Sequence, residues 1–92
     1  MNLRTRKTLR TREHRALISV VVASRKEAQV TQEELAKRVG RLLKRKPDRG
    51  WIAKFEAGDR VLMAVELIWI ARALRMEPAK LMTRVTKWLE TL

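Results

Sequence analysis

Apolar residues recur every three to four positions in five separate stretches of this 92-residue chain, and that spacing limits the fold more than any other feature. Such a repeat places the apolar side chains on one face of an α-helix. The run Val20–Val22 would also suit a buried strand, but the chain has no second strand-like segment with which it would pair. The sequence therefore predicts an all-α fold of five helices.

Local signals mark where the predicted helices begin and end. Thr31, with Glu34 three residues later, has the pattern of a capping box at the start of the second helix. Gly58 provides a C-terminal stop for the third helix, and Pro78 suits the first position of the fifth. The five predicted helices cover about residues 13–28, 31–40, 49–57, 64–74 and 78–92.

Basic residues are concentrated in two segments of the chain. The net charge is +12, from 22 Lys and Arg against 10 Asp and Glu. Residues 1–12 hold five cations and no acid, and residues 41–54 hold six cations and one acid, so ten of the twelve net charges lie there. This distribution predicts a polyanionic partner, with nucleic acid first. We interpret residues 1–12 as a flexible basic arm and residues 13–92 as one helical domain.

Several classes of function are disfavoured by what the chain lacks. Without cysteine it has neither disulfides nor thiolate metal sites, which fits a reducing cytoplasm. The longest apolar run, at residues 17–23, is far shorter than the roughly 20 residues that cross a bilayer. One histidine, two separated aspartates and no glycine-rich phosphate loop form no catalytic constellation. We expect a cytoplasmic protein that is not an enzyme, uses no cofactor or metal and has no membrane partner.

Two short motifs connect the chain with a known family. They are Thr-Gln-Glu-Glu-Leu-Ala at 31–36 and Lys-Phe-Glu-Ala-Gly at 54–58. Together with the segments around them, from about Leu17 to Leu81, they resemble the XRE-type helix-turn-helix proteins, which include Cro and the phage repressors. The resemblance covers about two thirds of the chain. It implies a five-helix Cro/repressor-like domain whose third helix enters the major groove of DNA.

The resemblance also implies which residues contact DNA. Arg49, Gly50 and Lys54 occupy the base-reading positions, where an arginine suits a bidentate contact with guanine worth about 1–3 kcal/mol. Gln32 matches the family position that contacts a backbone phosphate, and Arg60 follows the third helix where phosphate is often contacted. The two basic segments add further phosphate-binding candidates: Arg41, Lys44, Arg45, Lys46, Arg4, Arg6 and Lys7.

The family further implies a salt bridge between Arg25 and Glu56 that links the first and third helices. Gly40 would take a left-handed conformation in the turn after the second helix. Gly40 and Glu56 are sixteen residues apart, however, which is six more than is usual in the family. The additional residues either extend the second helix to Pro47, as its continuing apolar stripe favours, or form a longer basic loop.

A few other positions carry expectations that the structure tests. Gln29 and Arg75 stand where the family has glycine, and Met63 stands where it has aspartate, residues that cap helices at lower cost. We expect His14, beside the basic arm, to be exposed rather than to act as a ligand. We expect Trp69 to lie in the core.

The C-terminal helix is predicted to join either the core or a subunit interface. It carries an apolar set that a small domain would gain by burying: Leu81, Val85, Trp88, Leu89 and Leu92. The leading hypothesis is a homodimeric, sequence-specific transcriptional regulator of phage or mobile-element type that binds double-stranded DNA. The alternative is a protein-binding module, an antitoxin or antiactivator, that uses the same scaffold and has a protein partner.

Overall fold

The computed structural model describes residues 3–91, which form six α-helices. They are α1 (Leu3–Leu9), α2 (Arg12–Glu27), α3 (Gln32–Leu43), α4 (Arg49–Glu56), α5 (Ala64–Ala73) and α6 (Pro78–Glu90). No strand occurs among these residues, so the predicted all-α class is confirmed. None of the helices in this range is both long and apolar enough to cross a membrane.

The prediction of five helices is wrong, because α1 lies within the segment interpreted as an arm. This helix contains no buried residue, so it has no apolar repeat by which the sequence would reveal it. Thr11 joins it to α2, since its Oγ1 donates a hydrogen bond to the Thr8 carbonyl (2.8 Å) and accepts one from the His14 amide (3.1 Å). The flexibility of residues 1–12 stays a prediction.

The structure agrees with the predicted helix starts at two positions and differs in one detail. Thr31 Oγ1 accepts a hydrogen bond from the Glu34 amide (3.0 Å) at the start of α3, and Pro78 opens α6. The reciprocal half of the capping box is wrong, because the Glu34 carboxylate contacts Arg38 (3.3 Å) and Arg41 (3.4 Å) instead. Contacts with charged donors are stronger than a bond to a neutral amide, so the two arginines draw the carboxylate away.

One apolar core joins α2 through α6. Its largest fully buried side chains are Val21, Leu35, Ile52, Phe55, Ile70 and Leu81. Helix α6 packs along α2, and α3 packs against both α4 and α5. Helix α3 is therefore a packing partner that α4 and α5 share.

His14 lies in this core, contrary to the expectation that it is exposed. The residue is 5% exposed, and its ring packs edge-on against Phe55 with centroids 5.7 Å apart. Its Nε2 atom has no hydrogen-bond partner in the described part of the chain. Burial lowers the pKa of the His14 imidazole, which favours the neutral ring in its contact with Phe55 of α4.

Three residues other than glycine adopt left-handed backbone conformations. They are Gln29 (φ 59°), Lys44 (φ 53°) and Arg75 (φ 57°), and each follows the end of a helix. An L-residue in this conformation costs about 1–2 kcal/mol, which glycine avoids. The expectation that glycine would end these helices at lower cost therefore holds for Gln29 and Arg75.

Candidate nucleic-acid interface

The connection between α3 and α4 combines the two alternatives that the sequence left open. Residues 41–43 extend α3, and residues 44–48 form a loop, which we call the basic loop. The Lys44 amide donates a hydrogen bond to the Arg41 carbonyl (3.3 Å), and the Arg45 amide donates one to the Gly40 carbonyl (3.0 Å). Bonds of this kind end a helix and turn the chain, so the extension stops at Leu43 rather than at Pro47.

Gly40 does not form the predicted left-handed turn, because it lies inside α3 and is buried there. A Cβ at this position would come 2.9 Å from the Arg45 carbonyl oxygen and 3.2 Å from the Cα and nitrogen of Pro47. The missing side chain therefore lets the basic loop pack against α3. This close packing fixes where the loop delivers the chain to the start of α4.

Helix α4 turns one face to the core and the opposite face to solvent. Ile52 and Phe55 are fully buried, which leaves Arg49, Gly50 and Lys54 exposed. These three are the residues predicted to read bases, and the structure places them together on the outward side of α4. Contact with bases stays a prediction.

The predicted salt bridge between Arg25 and Glu56 is confirmed, and polar contacts continue from it to the surface. Arg25 donates to the Glu56 carboxylate through Nε (2.8 Å) and Nη2 (2.7 Å), with the two side chains only 11% and 6% exposed. Gln32 Nε2 donates to the same carboxylate (2.9 Å). The Arg49 guanidinium in turn contacts Gln32 Oε1 at 3.4 Å. The buried pair thus holds Gln32, and Gln32 holds Arg49 loosely at the start of α4.

The basic loop borders an open cavity of about 470 Å³. Five of its seven lining residues are cations: Lys37, Arg41, Lys44, Arg45 and Lys46. The Arg45 guanidinium lies 5.6 Å from the centre of the Trp69 ring on α5, a cation–π contact that anchors the loop. Trp69 is half-buried rather than fully within the core. The phosphate-binding candidates at 41–46 therefore form one cationic surface.

Arg60 is engaged in the structure rather than standing free beside α4. Its guanidinium donates two hydrogen bonds of 2.7 Å to the Glu66 carboxylate and lies 5.4 Å from the Trp51 ring centre. Burial raises the pKa of the Glu66 carboxyl, but the bonds from Arg60 and from the Met63 amide outweigh it and hold that pKa below its ordinary value. A phosphate contact by Arg60 would require it to share this ion pair.

The basic residues of the arm lie apart from α4. Arg4, Arg6 and Lys7 are exposed on α1, and α1 packs on α2. Arg4 and Lys7 line a cavity together with other residues of 3–11, and no residue of the basic loop lines it. Their contact with phosphate stays a prediction.

The apolar set on the C-terminal helix is divided between core and surface. Leu81 and Val85 are buried in the chain's own core, so a partner copy cannot contact them in this conformation. Leu89 is half-buried, whereas Trp88 is 43% exposed; Leu92 lies outside the described residues. The predicted subunit interface is thereby reduced to the surface around Trp88.

A second group of arginines adjoins the basic loop, and no pattern in the sequence predicts it as a site. Arg38, Arg72 and Arg75 line an open cavity together with Arg41. Arg38 and Arg41 belong to α3. Arg72 lies in the last turn of α5, and Arg75 follows shortly after that helix ends. No local pattern relates the two pairs, because only the packing of α5 on α3 brings them together.

The described residues form no metal site, and the chain matches no known protein in the comparisons. Within residues 3–91, no group of three or more His, Asp or Glu side chains is placed to hold a metal ion. Comparison with models of protein families, with curated proteins and with solved structures finds no match for the chain.

Proposed function

We propose that the chain is a sequence-specific, double-stranded DNA-binding transcriptional regulator of the kind found in phages and mobile elements. In this proposal α3 and α4 act as a Cro/repressor-like helix-turn-helix unit, with α4 in the major groove. The observation that carries the proposal is Arg49, which lies exposed in the first turn of α4 beside the basic loop. A homodimer would present two such units to a two-fold symmetric DNA site.

Affinity and specificity come from different parts of the proposed surface. The cations of residues 41–46 neutralise backbone phosphates, which favours binding to any sequence. Arg49 has only long contacts of 3.4 Å with Gln32, and these are readily exchanged for the two acceptors of a guanine edge. Asp48 Oδ1 accepts a hydrogen bond from the Gly50 amide (2.9 Å). This cap holds the first turn of α4, from which Arg49 projects.

The proposal is tested by selecting bound fragments from random duplex DNA and measuring variants on the selected sequence. Arg49→Ala is expected to flatten the preference at one base pair, with a loss of about 1–3 kcal/mol there. Lys44→Ala is expected to weaken all sequences alike and to make the slope of log K against log salt shallower by about 0.9. Lys80→Ala removes an exposed lysine of α6 and is the control, for which neither quantity should change.

Two results would count against the proposal. Identical behaviour of the Arg49 and Lys44 variants would exclude α4 as the element that reads sequence. Binding that is weak on every duplex and insensitive to salt would exclude the DNA-binding function itself.

A protein-binding module, such as an antitoxin or antiactivator, is the alternative that exposed apolar side chains favour. Leu42 on α3 and Val65 and Ile68 on α5 are 48%, 43% and 39% exposed. Burial of such side chains contributes more to a protein interface than to contact with phosphates. An acidic protein that displaces duplex DNA, and whose binding is lost in Leu42→Ser, would support the alternative.

A further inference from the structure

Four arginines converge on an open cavity of about 270 Å³ between α3 and α5. Arg38 and Arg41 come from α3, and Arg72 and Arg75 come from the end of α5. We call this group the arginine cavity. Helix α5 is held there by Arg38, whose Nη1 donates to the Ala73 carbonyl (3.1 Å). The basic loop also contacts α5, since the Arg45 guanidinium lies 5.6 Å from the centre of the Trp69 ring.

The positive charge of the arginine cavity is only partly compensated. Glu34 contacts Arg38 (3.3 Å) and Arg41 (3.4 Å). Among residues 3–91, neither Arg72 nor Arg75 has a side-chain hydrogen bond or an ion pair in the structure, and both are exposed. Like charges brought together in this way repel one another, and an anion placed among them would relieve the repulsion.

Arg75 also has a backbone conformation that an arginine adopts only at a cost, although backbone hydrogen bonds from the amides of Arg75 (2.9 Å) and Met76 (2.9 Å) end α5 there. Its φ of 57° lies in the left-handed region, where glycine would avoid the strain. Strained residues of this kind are concentrated at functional positions, and the observed outlier is what motivates a functional hypothesis. The Arg75 side chain is exposed, so its guanidinium is available to a ligand outside the chain.

Helix-end electrostatics explain only part of this arrangement. Arg72 lies in the last turn of α5, where a cation interacts favourably with the partial negative charge of the helix. That effect does not require Arg75 to be an arginine, since glycine would end the helix at lower cost. It also does not account for the convergence of four guanidinium groups on one cavity.

We propose that the arginine cavity binds a backbone phosphate of DNA, outside the segment that α4 contacts. This inference rests on the proposed function and extends it. Arg41 lines both the arginine cavity and the cavity beside the basic loop, so the cationic surface is continuous from the basic loop across α3 to the end of α5. Guanidinium groups bind phosphate oxygens through paired hydrogen bonds, and a duplex that follows this surface places phosphates at both cavities.

The test compares the salt dependence of DNA affinity in two variants. One replaces a cation in a left-handed conformation, and its control replaces a neutral residue in the same conformation. Arg75→Gly and Gln29→Gly both relieve a left-handed residue (φ 57° and 59°), so both are expected to raise the melting temperature. Only Arg75→Gly should make the slope of log K against log salt shallower, by about 0.9 for one lost phosphate contact. Adding Arg72→Gln should weaken DNA binding further, because it removes a second guanidinium from the same phosphate.

The outcomes separate this inference from the function on which it rests. In one outcome, Lys44→Ala makes the slope of log K against log salt shallower while the variants of Arg72 and Arg75 leave it unchanged. This result would show that the arginine cavity does not contact DNA, so it would overturn the inference and leave the proposed function intact. If the wild-type protein binds no duplex, both are overturned.

Discussion

Replacing Glu56 by glutamine is expected to remove a large part of the stability of this fold. The Glu56 carboxylate is 6% exposed and accepts hydrogen bonds from Arg25 (2.7 and 2.8 Å) and from Gln32 (2.9 Å). Glutamine has nearly the same shape, but it brings no negative charge and exchanges one acceptor for a donor. The Arg25 guanidinium, itself 11% exposed, would then be buried without a counter-charge.

The magnitude follows from the burial of both partners. Breaking a buried ion pair by removing one partner costs about 3–5 kcal/mol. A chain of this length has a free energy of unfolding of about 5–14 kcal/mol in all. With a urea dependence of about 2 kcal/mol/M, the midpoint of unfolding should fall by about 1.5–2.5 M. The midpoint is measured by urea denaturation followed by circular dichroism of the helices.

Two controls make the reasoning refutable. Glu33→Gln removes an exposed partner of Lys37 (3.7 Å, side chains 70% and 51% exposed), and it should cost no more than about 0.5 kcal/mol. The double variant Arg25→Met/Glu56→Met leaves no charge stranded, so it should be less destabilised than Glu56→Gln. A loss below about 1 kcal/mol for Glu56→Gln would mean that water reaches the pair and that the burial argument fails.

Two further predictions concern the core and the basic loop. Burial lowers the pKa of His14 in the folded chain. Below the ordinary histidine pKa of about 6.5, the unfolded chain therefore binds more protons than the folded chain, so the free energy of unfolding should fall as pH drops from 7 to 5. His14→Leu should flatten this dependence, and parallel wild-type and variant curves in urea denaturation would contradict it. Gly40→Ala should destabilise the protein by about 1–3 kcal/mol, because the new Cβ would lie 2.9 Å from the Arg45 carbonyl oxygen. Helix propensity alone predicts a gain of about 1 kcal/mol, so the sign of the measured change decides between the two.

The sequence alone predicts those features that depend on residues a few positions apart. Thr31 caps α3 through a neighbouring amide, and Pro78 opens α6, because both effects act within one helical turn. The spacing of Ile52 and Phe55 turns one side of α4 to the core. The same spacing is enough to predict that Arg49 is exposed on the other side. The salt bridge between Arg25 and Glu56 links residues far apart in the chain. Its prediction depends on the resemblance to a family rather than on a local pattern.

Tertiary packing decided the remaining features, since each depends on residues that are distant in the chain. His14 is buried where Phe55 of α4 packs against it, and a side chain at Gly40 would meet the basic loop, which folds back to within contact distance. The arginine cavity exists because α5 docks on α3 and brings Arg72 and Arg75 to Arg38. Local periodicity determines which face of a helix is apolar, but it does not determine which helices pack against each other. A site shared by two helices is therefore defined only by the tertiary packing.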